Sequence, residues 1–125
     1  MTAKRRQAAV PPPTLHGRVW IEVSGVPAVT EAGADLLEQI EACGSLSEAA
    51  RRLRFGYRRA WMLVAAMNRR WPSPLVHTAI GGKSGGGTRL TERGRAVLRA
   101  FRDVQLQVEA ALDQALPGFH AATVH

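Results

Sequence analysis

Arg58 and Arg59 follow Tyr57 at the head of a segment, Tyr57 to Trp71, whose apolar residues recur at helical spacing. A guanidinium fork near the start of a helix can bond O6 and N7 of guanine together, worth about 1–3 kcal/mol of discrimination between bases. One of the pair is expected to read a base and the other to hold a phosphate. Met62, one turn on from Arg58, offers an apolar surface to a thymine methyl, and Tyr57 offers a hydroxyl to a phosphate. Downstream, the run Gly81 to Gly87 carries Lys83 and Ser84 among its glycines. Without a Cβ, backbone N–H groups there can approach a phosphate closely, and Lys83 adds a charge. Arg89 stands at the base of that loop. Arg51, Arg52 and Arg54 are candidate backbone contacts. Ser45 could reach a phosphate through a helix N-terminus, although capping that helix already accounts for it.

Two short helices must position these groups. Ser45 is an N-cap residue with Glu48 three positions later, which makes a capping box. Leu46, Ala49, Ala50 and Leu53 then share one face, and the two alanines leave room for a second helix. Gly56 is expected to make the turn with φ > 0. Ala60, Trp61, Val64, Met67 and Trp71 form the stripe of the next helix, which assigns both tryptophans to the core rather than to stacking platforms. This is the pattern of a helix-turn-helix whose second helix offers its first turns to a major groove. The competing reading is a helical hairpin whose arginines are only solvated.

The placement of charge bears on that choice. The 125 residues carry a formal net charge of +7. Between Arg51 and Arg102 thirteen arginines and lysines face one acid, Glu92, whereas the other positions hold four basic and nine acidic residues. Positive charge confined to the middle of a chain is the footprint of a polyanion binder. A membrane surface fits less well, because the basic helices lack one broad exposed apolar face. No apolar run approaches the ~20 residues of a membrane span, and Lys4, Arg5 and Arg6 are followed by no apolar region of a signal peptide. Cys43 is the single cysteine. No disulfide framework is therefore possible within one chain, which fits a reducing, cytoplasmic compartment. The length suits one domain with a core of its own.

Taken in order, residues 1–14 read as a disordered basic arm with a stiff spacer at Pro11 to Pro13, either solubilising or laid on DNA. Leu15 to Val29 reads as a hairpin: Val19, Ile21 and Val23 alternate with Arg18, Trp20 and Glu22, Ser24-Gly25 supplies the turn, and Pro27 restricts the return strand to an edge. Thr30 caps a first helix with Leu36, Leu37, Ile40 and Cys43 on its apolar face, and Gly44 ends it. After Trp71, Pro72-Ser73-Pro74 breaks the helix. Leu75 to Ile80 and Thr88 to Leu90 then flank the glycine run as a second hairpin. Three helices followed by such a hairpin make the winged helix arrangement, with the glycine loop as the tip of the wing.

Thr91 caps the last helix. Val97, Phe101, Val104, Val108, Ala111 and Ala115 recur at alternating steps of four and three, flanked by Leu98, Leu112 and Leu116. Pro117-Gly118 is expected to stop the helix after about 25 residues, roughly 38 Å, leaving 117–125 as a flexible tail. So long a seam is more than a small domain covers, and a partner helix from a second chain is the economical solution. The alternative is a seam that packs wholly on its own domain, as its first half is expected to do in either case.

The set GSLSEAA, YRRAW, MNRRW, GGKSGGG and LTERG, in that order, resembles the N-terminal DNA-binding domain of the ModE family of molybdate-responsive bacterial regulators. It is more distantly similar to the LysR-type winged helix. The resemblance covers roughly residues 15–116. It implies a mainly α fold with small β-hairpins, a winged helix-turn-helix carrying a long dimerisation helix at 91–116. It further implies a homodimeric transcriptional regulator that reads a palindromic operator in double-stranded DNA, with Tyr57–Arg70 as reading helix and Gly81–Gly87 as wing. In the family the first and last helices make the dimer. That places Leu36 and Ile40 beside Val97, Phe101, Val104, Val108, Ala111 and Leu112 as dimerisation residues. Two departures stand out. The family binds molybdate on separate C-terminal domains for which 125 residues leave no room, and Arg58-Arg59 makes the start of the reading helix more basic than is usual.

No catalytic constellation is visible, and no cofactor is expected. His16, His77, His120 and His125 lack metal-ligand spacing. Gly82-Lys83-Ser84 lacks the earlier glycine of a phosphate-binding Walker loop, position 77 being His, and leads into a strand. Two other readings compete with the regulator: a module that pairs through Val97–Ala115 with a separate effector-binding protein, and a sequence-indifferent nucleoid protein.

Overall fold

Ser24 and Gly25 both take positive φ, 54° and 77°, the pairing that a two-residue hairpin turn requires. They join β1 (Ile21–Val23) to β2 (Val26–Val29) in a computed structural model that describes residues 11–79 and 87–124. The register pairs Glu22 with Pro27 and Val23 with Val26, with an irregularity between Ile21 and Glu22. Both strands of a two-stranded ribbon are edges, so Pro27 removes no ladder bond that a neighbour needs. Then come α1 (Glu31–Cys43), α2 (Leu46–Leu53), α3 (Tyr57–Arg70), the antiparallel pair β3 (Val76–Ala79) and β4 (Gly87–Leu90), and α4 (Glu92–Val124). This is a winged helix arrangement, mainly α with two small hairpins. The expected wing residues Ile80 to Gly86, the basic arm at 1–10 and His125 lie outside the described residues.

Caps set the helix boundaries. Thr30 Oγ1 accepts the Gly33 N–H at 3.2 Å and starts α1. Gly44 ends it in the left-handed region, its N–H donating to the Ile40 carbonyl at 2.8 Å. Ser45 Oγ accepts the Glu48 N–H at 3.1 Å, so half of the expected capping box forms. The Glu48 carboxylate turns instead to Arg51 and Arg52. The turn between α2 and α3 corrects the sequence expectation. Gly56 is extended, at φ −63° and ψ 147°, and Arg54 takes the left-handed conformation at φ 59°. Its N–H donates to Arg51 O at 3.1 Å and the Phe55 N–H to Ala50 O at 2.9 Å. Those are the two bonds of a Schellman close, which must fall directly after the last helical residue. Gly56 comes two residues too late.

Residues Arg18–Val104 form one compact unit, and the described residues before Arg18 form a second with those from Gln105 onward. The first holds the core. Leu36, Leu37, Ile40, Ala49, Ala60, Met67, Leu75 and Phe101 are buried together with Val76 and Leu90 of the wing strands. Leu36, Ile40, Val97 and Phe101, four of the residues assigned to dimerisation, are buried in this core within the single chain, at 0, 0, 9 and 0 % exposure. They sit where α1 and the first turns of α4 meet. Arg102 closes the same junction, donating to Asp35 and to Glu38 at 2.9 Å each. In the second unit Val108 and Leu112 pack against Gly17, where a Cβ would stand 3.0 and 3.2 Å from their side chains.

Pro117 and Gly118 do not stop α4, which continues to Val124. Proline's fixed φ is compatible with a helix, and its cost is one missing N–H and a clash with the carbonyl four residues back. That carbonyl belongs to Asp113, in an exposed stretch of α4.

Candidate nucleic-acid interface

Helix α3 buries Ala60, Val64 and Met67. The stripe at steps of four, three and four is complete with half-buried Trp71 and does not need Trp61. Trp61 is 57 % exposed, as are Tyr57 and Met62, which corrects its assignment to the core. At 100° per residue, the face opposite the buried one runs through Arg58, Met62, Ala65 and Arg69. Arg58, Met62 and Arg69 are exposed and Ala65 is half-buried. Small residues at Ala65 and Ala66 leave the middle of this face low between its long side chains. Gly56 places no side-chain cap on the first N–H groups of α3, which leaves these donors for another acceptor.

The two arginines at the head of α3 part company. Arg59 lays its guanidinium over the Phe55 ring, 4.1 Å from the centroid. Arg58 is exposed, and among the described residues it has no carboxylate partner. No acid occurs anywhere between Leu53 and Thr91, so α3 and the segments that flank it in the chain carry basic charge alone.

The carboxamide of Asn68 ties α3 to the wing. Its Oδ1 accepts the N–H groups of Leu75 and Val76 at 2.9 and 3.1 Å, and its Nδ2 donates to Val76 O at 3.1 Å. On the other strand the Thr88 N–H donates to Gly44 O at 3.1 Å. The wing root is thus held to α3 through β3 and to the α1–α2 turn through β4. Thr91 adds a third anchor, its hydroxyl donating to Pro74 O at 2.7 Å while accepting from Gly94 N at 3.0 Å. Arg89 is exposed on β4, opposite His77. Lys83 and Ser84 lie outside the described residues.

On α2 the Glu48 carboxylate is shared by two guanidinium groups. Arg51 donates to both of its oxygens, at 2.9 and 2.5 Å, and Arg52 to one at 3.2 Å. These bonds, Arg51's foremost, push the Glu48 carboxyl down to about 2. Arg52 also donates to the Gln39 side chain at 3.3 Å. Ser45 is occupied as the cap.

Of the expected residues, the structure exposes Tyr57, Arg58, Arg59 and Met62 in the first two turns of α3, with Arg58 and Met62 on its open face, and puts Arg89 at the wing root. It sets Arg51 and Arg52 on Glu48. Phe55 as the platform for Arg59 and Asn68 as the anchor of the wing are roles not assigned from sequence, where Asn68 and Arg69 stood only within the MNRRW motif. Arg69 was within reach, standing eleven residues from Arg58 on the same stripe. On α4, Val104 remains 44 % exposed and Ala111 is exposed, whereas Val108 and Leu112 are half-buried. No helix of the described residues is long and apolar enough to cross a membrane. No three His, Cys, Asp or Glu side chains among them are grouped to hold a metal ion.

No protein-family model matches the chain. It is 38 % identical over 87 residues to the molybdenum transport protein ModE of Azotobacter vinelandii, a match covering 70 % of this chain and 32 % of that one. The chain is a homologue of the ModE proteins. It is also 36 % identical over 102 residues to the molybdenum-pterin-binding protein MopA of Rhodobacter capsulatus, covering 82 % of this chain and 37 % of the relative. With the DNA-binding transcriptional dual regulator ModE of Escherichia coli it shares 35 % identity over 74 residues, 59 % of this chain and 28 % of the regulator. The chain thus spans about a third of the length of the ModE-type relatives it matches.

Proposed function

We propose that this ModE homologue is a homodimeric, sequence-specific binder of double-stranded DNA that acts in transcriptional regulation. The observation that carries the proposal is the open face of α3: Arg58 and Met62 exposed at its N-terminal end, in a stretch with no acid from Leu53 to Thr91. Arg58 reads a guanine edge in the major groove, and Met62 covers a thymine methyl. Tyr57, Arg59 and the uncapped N–H groups at the start of α3 hold phosphates, with Lys83, Ser84 and Arg89 of the wing on the flanking backbone. Arg51, Arg52 and Ser45 stand second to these, since each already has an intramolecular partner.

Self-association through α4 falls to the stretch from Val108 through Ala111, Leu112 and Leu116 together with exposed Val104. The names of the relatives support DNA as the partner, one of them being a DNA-binding transcriptional regulator. A two-fold dimer then presents two reading helices to a palindromic site.

Selection of bound duplexes from a random pool tests the proposal. A palindromic consensus, bound far more tightly than random duplex and with affinity falling steeply as salt rises, is the expected result. A specificity ratio near one makes the chain a sequence-indifferent DNA-coating protein. Absence of duplex binding overturns the proposal.

A further inference from the structure

Trp61 is a large indole left 57 % exposed in the second turn of α3, where core packing does not need it. It stands seven residues before Asn68, so at 100° per residue the two are only about 20° out of line. Asn68 is the residue bonded to the root of β3. Trp61 therefore occupies the edge of α3 that turns toward the wing, two helical turns nearer the N-terminus. It lies about 60° round the helix from Arg58 and about 100° from Met62. One turn back on the same edge stands Tyr57, equally exposed. The edge is an aromatic pair set beside a cationic face, with no carboxylate nearby in the sequence. Its surroundings match a polyanion better than an acidic or neutral protein surface.

From this placement, and resting on the reading of α3 as the groove-entering helix, we infer that Trp61 is a positioning contact to DNA. A helix lying in the major groove turns its central stripe to the base edges and its flanks to the groove walls. Those walls are deoxyribose carbons rimmed by phosphate oxygens. An indole suits such a wall, with an apolar body for the sugars and one N–H to donate to a phosphate. A contact of this kind fixes register and depth without reading sequence. It also carries no charge, so it releases no counterion of its own.

The test uses the full chain, a duplex that it selects from a random pool, and a scrambled duplex of equal length. Trp61→Ala should weaken binding to both by about tenfold. The ratio between the duplexes and the slope of log affinity against log salt should stay at the parent's values. Trp61→Phe, which keeps the apolar contact and loses the N–H, should recover most of the affinity. Acrylamide quenching of tryptophan emission should fall when DNA is added to the parent, and fall less in Trp61→Phe, which reads the contact independently of affinity. Thermal melts of both variants should match the parent, because Trp61 is not part of the core.

Unchanged affinity of Trp61→Ala on both duplexes overturns the inference while leaving the regulator reading intact. A loss confined to the selected duplex also overturns it and makes Trp61 a base reader. Intact DNA binding with altered self-association shows the indole to be a protein contact instead. If the parent binds no duplex at all, the regulator reading fails first and this inference falls with it.

Discussion

The Arg59 guanidinium carbon sits 4.1 Å from the centroid of the Phe55 ring. Phe55 is the residue that completes the Schellman close of α2 by donating its N–H to Ala50 O at 2.9 Å. The turn that separates the two helices thus also supplies the platform for one of the two arginines at the head of the second. Arg59 is held over that platform while Arg58, one residue earlier, reaches into solvent. Two adjacent residues of one type come to differ in freedom because only one of them faces the turn.

Phe55→Leu should separate that platform from the packing. Leucine keeps an apolar side chain against the core and removes the aromatic face. A cation–π contact at an exposed site is worth about 0.5–1 kcal/mol, so losing the pre-ordering of Arg59 is expected to lower DNA affinity on all sequences by at most roughly two- to fivefold. The salt slope should not change, since the charge of Arg59 remains. Fluorescence anisotropy with a labelled duplex at several salt concentrations checks this.

Arg58 and Lys83 should fail in different ways. Arg58→Ala is expected to flatten the preference at one base position of each half-site, a cost of about 1–3 kcal/mol against the selected sequence. Lys83→Ala should weaken every duplex alike and lower the salt slope by about 0.9 for each phosphate no longer neutralised. Competition between selected and random duplex, repeated across a salt series, distinguishes the two. If both variants bind as the parent does, Arg58 and Lys83 are not at the interface.

Glu48 restrains two cations that DNA would otherwise attract. Glu48→Gln keeps the backbone N–H that Ser45 caps and removes the charge bonded to Arg51 and Arg52. DNA affinity should rise, with a steeper salt dependence. The same carboxylate gives a pH signature. Its folded value of about 2 lies below the ordinary 4.5, so the folded state gains from its ionised form. That gain is complete above the unfolded value and is lost as pH falls from about 4.5 toward 2. The parent's melting temperature should therefore decline through this window more than that of Glu48→Gln, as followed by circular dichroism.

Much of this molecule was legible in residue types alone. Thr30, Ser45, Gly44 and Thr91 each mark a helix end by a local bond, and local chemistry is what a sequence displays. Ser24-Gly25 marked its hairpin for the same reason. The misreadings fall where a decision is made by geometry over several residues. Gly56 looked like the left-handed residue because glycine adopts that conformation most easily, yet the Schellman bonds need it at Arg54, and the helix end overrode residue preference. Trp61 looked buried because it is apolar and three residues from Val64, but the stripe through Ala60, Val64, Met67 and Trp71 was already full. Pro117 looked like a stop because it forfeits a hydrogen bond, a loss that an exposed stretch can absorb. The role of Asn68 was hidden for a different reason: its partners, Leu75 and Val76, become neighbours only after the chain has turned back.

The close approach between Gly94 and Leu75 yields a prediction whose sign is set by space rather than by propensity. Within a helix, glycine to alanine ordinarily gains up to about 1 kcal/mol, through propensity and a less flexible unfolded chain. At Gly94 an added Cβ would collide with the Leu75 carbonyl oxygen and stand 3.0 Å from its carbon. Both are backbone atoms, so no side chain can swing aside. The same oxygen accepts the Thr91 N–H at 2.9 Å and lies 3.2 Å from the Thr91 hydroxyl. Moving it would disturb the joint between the wing root and the start of α4. Gly94→Ala should therefore destabilise the fold by about 1–3 kcal/mol or more, and it should weaken DNA binding in proportion to any displacement of the wing. Gly118→Ala is the control: it lies in the same helix with no atom within 4 Å of the added carbon, and it should be neutral or stabilising. Thermal melts of the two variants beside the parent decide the matter, and equal behaviour at both glycines would refute the packing of α4 on Leu75.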